Sequence, residues 1–283
     1  MPTDPSKQEW LLEHLRCPLC RWPGRLRAEP QEVACPRCGS RFGRTGHRFD
    51  MLPVSLREQC NVTPTDKVSD HSYDRRTLDL IERARERGGM VLDCGAGART
   101  TVFPNLVQVE VVPFDNADVL AVNQALPFAD ATFDVVISLD VLEHVNDPFR
   151  AAKEIARVLK PDGLLYVDAP FMQAEHGYPE HYFNMTRMGL RALFGTDMLF
   201  EEHWVPSSGH PIHALCGALR SYHAGLPKTL RASFEEMKVG DFIRSQPKEW
   251  YRHPIFTEFL EGKKWTLAAT TRAIVRKIAP PSD

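Results

Sequence analysis

The sequence has no apolar stretch approaching the ~20 residues that a membrane-spanning helix needs, and its opening, MPTDPSKQEW, has no apolar region behind a basic start. Those two absences argue against a spanning helix and a secretory leader, and they make a cytoplasmic protein with no membrane partner the expectation. An excess of charge is missing too. With 35 Lys and Arg against 37 Asp and Glu, the chain as a whole lacks the basic field that supports tight, sequence-independent binding to nucleic acid. Internal repeats and low-complexity tracts are absent. The first 50 or so residues also lack a long amphipathic period, so an ordinary packed core cannot hold them together. What remains is ample elsewhere: 283 residues, 43% of them hydrophobic, suffice for one large core and a small satellite.

Cysteine supplies what the N-terminal segment lacks. Of seven cysteines, Cys60, Cys94 and Cys216 stand alone, whereas Cys17-Pro-Leu-Cys20 and Cys35-Pro-Arg-Cys38 form two close pairs. In a cytosolic protein such pairs indicate metal before disulfide. Two Cys-x-x-Cys turns present the four sulfurs that Zn²⁺ prefers, and four protein ligands leave no open position for catalysis, so a structural zinc is expected. Iron–sulfur or redox use is the minor alternative. Arg16, Arg21, Arg25, Arg27, Arg37, Arg41, Arg44 and Arg48 crowd the same region. They read either as a solvated face or as a grip on RNA.

Farther on, strand and helix signals alternate, which predicts a parallel sheet. A helix over Tyr73–Arg87 leads to apolar runs at Met90–Cys94, Leu106–Val112, Asp118–Val122 and Phe133–Leu139. Asn146 or Asp147 is positioned to cap a helix with Pro148 in its first turn, ended by Pro161-Asp162-Gly163 before a strand at Gly163–Ala169. Beyond lie a helix at Thr186–Phe194, a strand at Leu199–Val205, helices at Pro211–Tyr222 and Leu230–Arg244, and a last strand at Trp265–Val275.

The first of those strands ends in Asp93-Cys94-Gly95-Ala96-Gly97, a turn in which the backbone bends sharply and can meet a ligand with no Cβ in the way. Glu110 near the end of the next run is suitably spaced to accept ribose hydroxyls. These segments, VLDCGAGA, ALPFADATFDVVIS, LDVLEHVNDP and RVLKPDGLLYVDAP, resemble class I S-adenosylmethionine-dependent methyltransferases of the type 11 kind, closely over about residues 86–170. The closing LAATTRAIVRK is similar to that family's final strand. The resemblance implies an α/β, Rossmann-like, seven-stranded sheet with S-adenosyl-L-methionine at the carboxyl ends of the first strands. It further implies that Asp93, Gly95 and Gly97 line the methionine part, Glu110 the ribose and Asn123 the adenine edge, with Leu139 capping the far side. Two positions depart from it: Arg99 stands where many relatives have a third small residue, and Val122 where many have an adenine-binding Asp. The connections after Gly97 and Pro113 are too short for crossover helices, so the first two family helices are expected as turns.

The Cys segment resembles a zinc ribbon, and a ribbon ahead of such a domain resembles the rRNA guanine methyltransferases that begin with one. The domain organisation expected is a ribbon at 1–56, a linker and leading helix at 57–85, and a methyltransferase domain at 86–280 with a helical insertion at about 207–262. The acceptor should sit beyond the fourth and fifth strands, near Asp140, Glu143 and His144 on one side and Asp168, His176, Glu180, His181 and Tyr182 on the other. As candidates for the base that takes the acceptor's proton, His181 leads because Tyr182 and Phe183 beside it can tune it, followed by His144, Asp168 and His176. The leading function is methylation of a small metabolite or sugar-like hydroxyl. RNA methylation and a non-catalytic cofactor-binding scaffold are the alternatives.

Overall fold

The computed structural model describes residues 5–63, 65, 70–177, 180–195 and 198–264. They form two compact units, one of the residues up to Phe171 with 177–203, the other of 172–176 with the chain from Trp204 onward.

The first unit is built on a mixed α/β sheet. Its central strands β5 (Val91–Cys94) and β6 (Leu106–Glu110) are buried at every position, as expected for parallel strands covered on both faces. Strand β8 (Phe133–Leu139) pairs on the other side of β5, followed by β9 (Leu159–Asp168), while the two-residue β7 (Val119–Leu120) lies beyond β6. All these pairings are parallel. Because β5 is flanked by β6 on one side and β8 on the other, the strand order reverses there, the point at which sheets of this kind bind ligands beyond the carboxyl ends of their strands.

The cysteine-rich segment continues this same sheet. After α1 (Pro5–His14), strands β1 (Arg27–Glu29), β2 (Glu32–Ala34), β3 (Arg41–Thr45) and β4 (Arg48–Asp50) form an antiparallel meander, and β4 then pairs in parallel with β7, giving nine strands in the order β1-β2-β3-β4-β7-β6-β5-β8-β9. Leu15 just after α1, with Phe42 and Phe49 from the meander, shares one hydrophobic cluster with Leu92, Val107 and Val119.

Local signals explain the helices. Asp74 accepts from Thr77 N at the start of α3 (Arg75–Glu86), and Asp147 accepts from Arg150 N at the start of α4 (Pro148–Val158), whose Ala151, Ala152, Ile155 and Val158 are buried. The short α2 (Val54–Gln59) buries Leu56, and α5 (Arg187–Phe194) is capped by Thr186. No helix forms between β5 and β6 or between β6 and β7, as the short connections require.

Three sequence expectations change. Leu199–Val205 is not a strand: Leu199 is 87% exposed and Phe200 stacks on His203 at 5.5 Å, so no face of this segment alternates against a sheet. The helix expected over Leu230–Arg244 is two, α7 (Lys228–Glu235) and α8 (Val239–Arg244). Strand β9 starts at Leu159, so Pro161-Asp162-Gly163 falls inside it, beside an irregular register with β8, instead of preceding it. The methyltransferase-like part thus contributes five strands among the described residues; Trp265–Val275 lies outside them.

The second unit is helical, with α6 (Pro211–Gly225), α7, α8 and α9 (Pro254–Thr257). Tyr222 packs on Phe234 and Phe259 at 5.3 and 4.7 Å, and its hydroxyl donates to Ile255 O.

Candidate active site

The glycine turn is fixed from every side. Gly95 has φ +137°, and a Cβ built there would lie 2.6 Å from Val141 Cγ2; Gly97 has φ +61°. Glycine at 95 is therefore required both by conformation and by the approach of the segment after β8. Gly95→Ala is expected to cost about 1–3 kcal/mol in backbone strain alone and to abolish cofactor binding, as read by thermal unfolding and by titration with S-adenosylhomocysteine; a variant indistinguishable from wild type would contradict the assignment.

Around the turn, Glu110 accepts from Gly97 N at 2.5 Å and from Val111 N at 3.0 Å, Asn116 donates to Gly97 O, and Asn123 donates to Cys94 O at 2.9 Å. Asp93, 1% exposed, accepts from Tyr73 Oη at 2.5 Å, and Gln108 Nε2 donates to the same phenol. Burial pushes the carboxyls of Asp93 and Glu110 up, with Arg99 opposing in both cases. The structure thus brings Asp93, Gly95, Gly97, Glu110 and Asn123 together. Leu139, half-buried at the end of β8, packs with Tyr73 and Ile81. Tyr73 was not singled out from sequence; it precedes α3 and reaches Asp93 only through the fold.

At the carboxyl ends of β8 and β9 a second polar group gathers. Asp140 sits at φ +53° and its N–H donates to Asp168 O at 3.3 Å. Burial and the nearby Asp140 raise the Asp168 carboxyl. His144 Nδ1 donates to Glu180 O at 2.6 Å, its ring lies 5.9 Å from that of His181, and Tyr182 N donates to Glu143 O at 2.7 Å. His176 belongs to the second unit, where its Nδ1 donates to Ala174 O.

The residue the sequence undervalued is Glu143. Its side chain is 0% exposed, and neither carboxylate oxygen has a hydrogen-bond partner among the described residues. The nearest cationic candidate is His144 Nε2, 3.7 Å from Oε1. Desolvation, reinforced by Asp140 and Asp168, pushes the carboxyl up to about 8.

In the ribbon, Cys17 Sγ lies 3.6 Å from Cys38 Sγ and Cys20 Sγ 3.6 Å from Cys35 Sγ, and all four sulfurs fall within 4.8 Å of one another. A tetrahedral zinc with Zn–S bonds of ~2.3 Å sets its sulfurs ~3.8 Å apart. The donor set fits that ion.

The ribbon arginines are largely committed to the protein itself. Arg21 pairs with Glu154 at 2.7 Å, and Arg48 donates to Pro113 O and Phe114 O at 3.1 Å. Arg41 pairs with Glu29 and Glu32, Arg25 with Glu13, Arg44 with Gln8, and Arg16 with the carbonyls of Glu13 and Leu15. Arg27 and Arg37, both exposed, make no such bond among the described residues.

Residues 92–167 match the methyltransferase domain family. The chain is 43% identical over 105 residues to a "probable S-adenosylmethionine-dependent methyltransferase" of Mycobacterium tuberculosis, covering 32% of this chain and 38% of that protein. It is 33% identical over 125 residues to an uncharacterized methyltransferase of a Mycobacterium species, covering 37% and 48%. Among solved structures, the YcgJ protein of Bacillus subtilis is 25% identical over 34% of this chain and 52% of that one, with a TM-score of 0.28. The chain spans a third to a half of the length of these curated relatives. The glycine turn and the strand reversal fall in the segment of the chain that matches the methyltransferase domain family. That segment lies in the first unit, on the sheet that the ribbon extends.

Proposed function

We propose that the protein transfers a methyl group from S-adenosyl-L-methionine to a small-molecule acceptor, a metabolite or a sugar-like hydroxyl, and that Zn²⁺ bound by Cys17, Cys20, Cys35 and Cys38 serves structure. The observation that carries this reading is the Gly95 turn, closed against Val141 at the point where the strand order reverses. Asp93, Gly95, Gly97, Glu110, Asn123 and Leu139 would hold the cofactor, which supplies an electrophilic methyl on a sulfonium. The chain's own part is alignment, exclusion of water and removal of a proton.

Proton removal falls to the group at the ends of β8 and β9. His181, His144 and Asp168 are its accessible members, and Glu143 is its buried one. A carboxyl poised near neutrality becomes a usable base once a cation nearby favours its charged form. His176 remains a candidate from the loop that follows β9.

The committed ribbon arginines favour a small acceptor over RNA. Retention of RNA at physiological salt is accordingly expected to be weak, and Arg27→Glu with Arg37→Glu is expected to change it by less than about twofold. Binding that falls steeply with salt and is lost in that double variant would turn the reading toward RNA.

The direct test uses cofactor labelled on its methyl group, incubated with the protein and separately with small-molecule and RNA fractions of cells. Label in the small-molecule fraction supports the proposal, label in RNA replaces its acceptor, and absence of S-adenosylhomocysteine binding by calorimetry removes every enzymatic reading and leaves a scaffold without cofactor.

A further inference from the structure

In a doubly wound sheet, the helix that follows the first strand turns its unpaired N–H groups and positive dipole end toward the ligand. This chain has no such helix: residues 98–105 contain no helical element before β6 begins at Leu106. The positive end that would face an anion after the glycine turn is therefore missing. A guanidinium stands in its place. Arg99, 7% exposed, folds back so that Nη1 donates to Gly95 O at 3.3 Å and to Ala96 O, and lies 3.7 Å from Asp93 Oδ2. Its Cζ sits 4.9 Å from the centroid of the Tyr73 ring. Its Nε is buried and has no hydrogen-bond partner among the described residues.

A buried, unsatisfied donor on a charged group is costly, and a carboxylate is the partner that fits a guanidinium best. Asp93 does not meet that need, because its Oδ2 is taken by the Tyr73 hydroxyl and is too far from Arg99 for a hydrogen bond. Glu110 does not either: its oxygens accept from the Gly97 and Val111 N–H groups and from no group of Arg99. That donor is left for a group the chain itself does not supply among the described residues.

We infer that Arg99 binds the α-carboxylate at the amino-acid end of the cofactor, doing with a side-chain charge what the absent helix terminus does elsewhere. Asp93 then serves as the counter-charge for the adjoining ammonium, and the Tyr73 ring holds the guanidinium in plane. The position that departs from the family's small residue is thereby a binding residue, matched to the loss of the helix that the small residue normally accompanies. This inference rests on the cofactor reading given above.

Its test is a cycle of two ligands and two proteins, read by calorimetry. The ligands are S-adenosylhomocysteine and its decarboxylated analogue, which keeps the adenosine, thioether and ammonium and lacks only the carboxylate. Wild type is expected to bind S-adenosylhomocysteine about thirtyfold more tightly than the analogue, in the range of one charge-assisted hydrogen-bonded pair. In Arg99→Gln that preference falls below about threefold, whatever the variant's absolute affinity for the analogue; Arg99→Lys recovers part of it. Equal affinities in wild type, or an equal loss of both ligands in Arg99→Gln, would overturn the assignment and leave Arg99 as an internal counter-ion. The wild-type comparison holds whether or not the variant folds. Wild type that binds neither ligand would instead overturn the cofactor reading itself.

Discussion

Raising the pH from about 5 to 8.5 is expected to destabilise the wild-type protein, and Glu143→Gln is expected to remove much of that dependence. The Glu143 carboxyl rises from 4.5 to about 8 on folding because it loses water and lies near the carboxylates of Asp140 and Asp168. Between those values the folded protein keeps a proton that the unfolded chain releases. Stability from this group is therefore fully present below 4.5 and is lost as pH rises through about 8. At ~1.4 kcal/mol per pH unit, the whole displacement corresponds to roughly 5 kcal/mol. For a unit of this size that amounts to on the order of 10 °C in thermal midpoint. Other buried acids, Asp93, Glu110 and Asp168, tilt the wild-type curve in the same direction. The difference between variant and wild type isolates Glu143: it should be small at pH 5 and grow steadily to pH 8.5. Parallel curves would mean that Glu143 is ionised and paired.

A carboxyl buried with no hydrogen-bond partner among the described residues carries a cost in stability, and such costs concentrate at functional sites. Asp140 supports the same conclusion, since a non-glycine residue at φ +53° directly after β8 is held there by its surroundings. These two features at the end of one strand support the proposal that places proton removal there.

What the sequence made legible was what depends on near neighbours. Asp147 and Pro148 announce a helix start because a cap needs only the next three residues, and the paired cysteines announce a four-sulfur cluster because each pair makes its own turn. The parallel order of β5, β6, β8 and β9 was legible from alternation of strand and helix. Long-range properties were hidden. Tyr73 lies 20 positions from Asp93 in the chain, and nothing local aims its hydroxyl at that carboxyl. Glu143 sits in an LEHV run that reads as an ordinary helical turn, and its burial depends on residues 180–183 folding over it. Leu199–Val205 has the composition of a strand, yet no sheet edge receives it. The loss of the helix beside Arg99 was legible from the short connection, but the folding of its guanidinium back onto Gly95 O and Ala96 O was not.

Removing the metal is expected to unfold the whole first unit, beyond the ribbon alone. The ribbon gives the sheet its continuation: Phe49 N donates to Asp118 O and Met51 N to Leu120 O, so without it the two-residue β7 becomes an exposed edge. It also begins a line of polar contacts into the cofactor turn. Lys7 pairs with Asp118 at 2.6 Å, Asp118 accepts from Gln108 N, Gln108 Nε2 donates to the Tyr73 hydroxyl, and that hydroxyl donates to Asp93. Structural zinc contributes on the order of 10 kcal/mol to folding in small ribbons, which rivals the ~5–15 kcal/mol total stability of a typical protein. Treatment with a strong chelator should release one zinc per chain, lower the thermal midpoint of the first unit by more than about 10 °C in one cooperative step, and abolish S-adenosylhomocysteine binding. Cys20→Ser with Cys38→Ser should do the same without chelator, and restored zinc should rescue the chelated wild type. A ribbon that melts separately at low temperature while cofactor affinity stays within twofold would show instead that the ribbon is an independent appendage, and that the line from Lys7 to Asp93 transmits nothing.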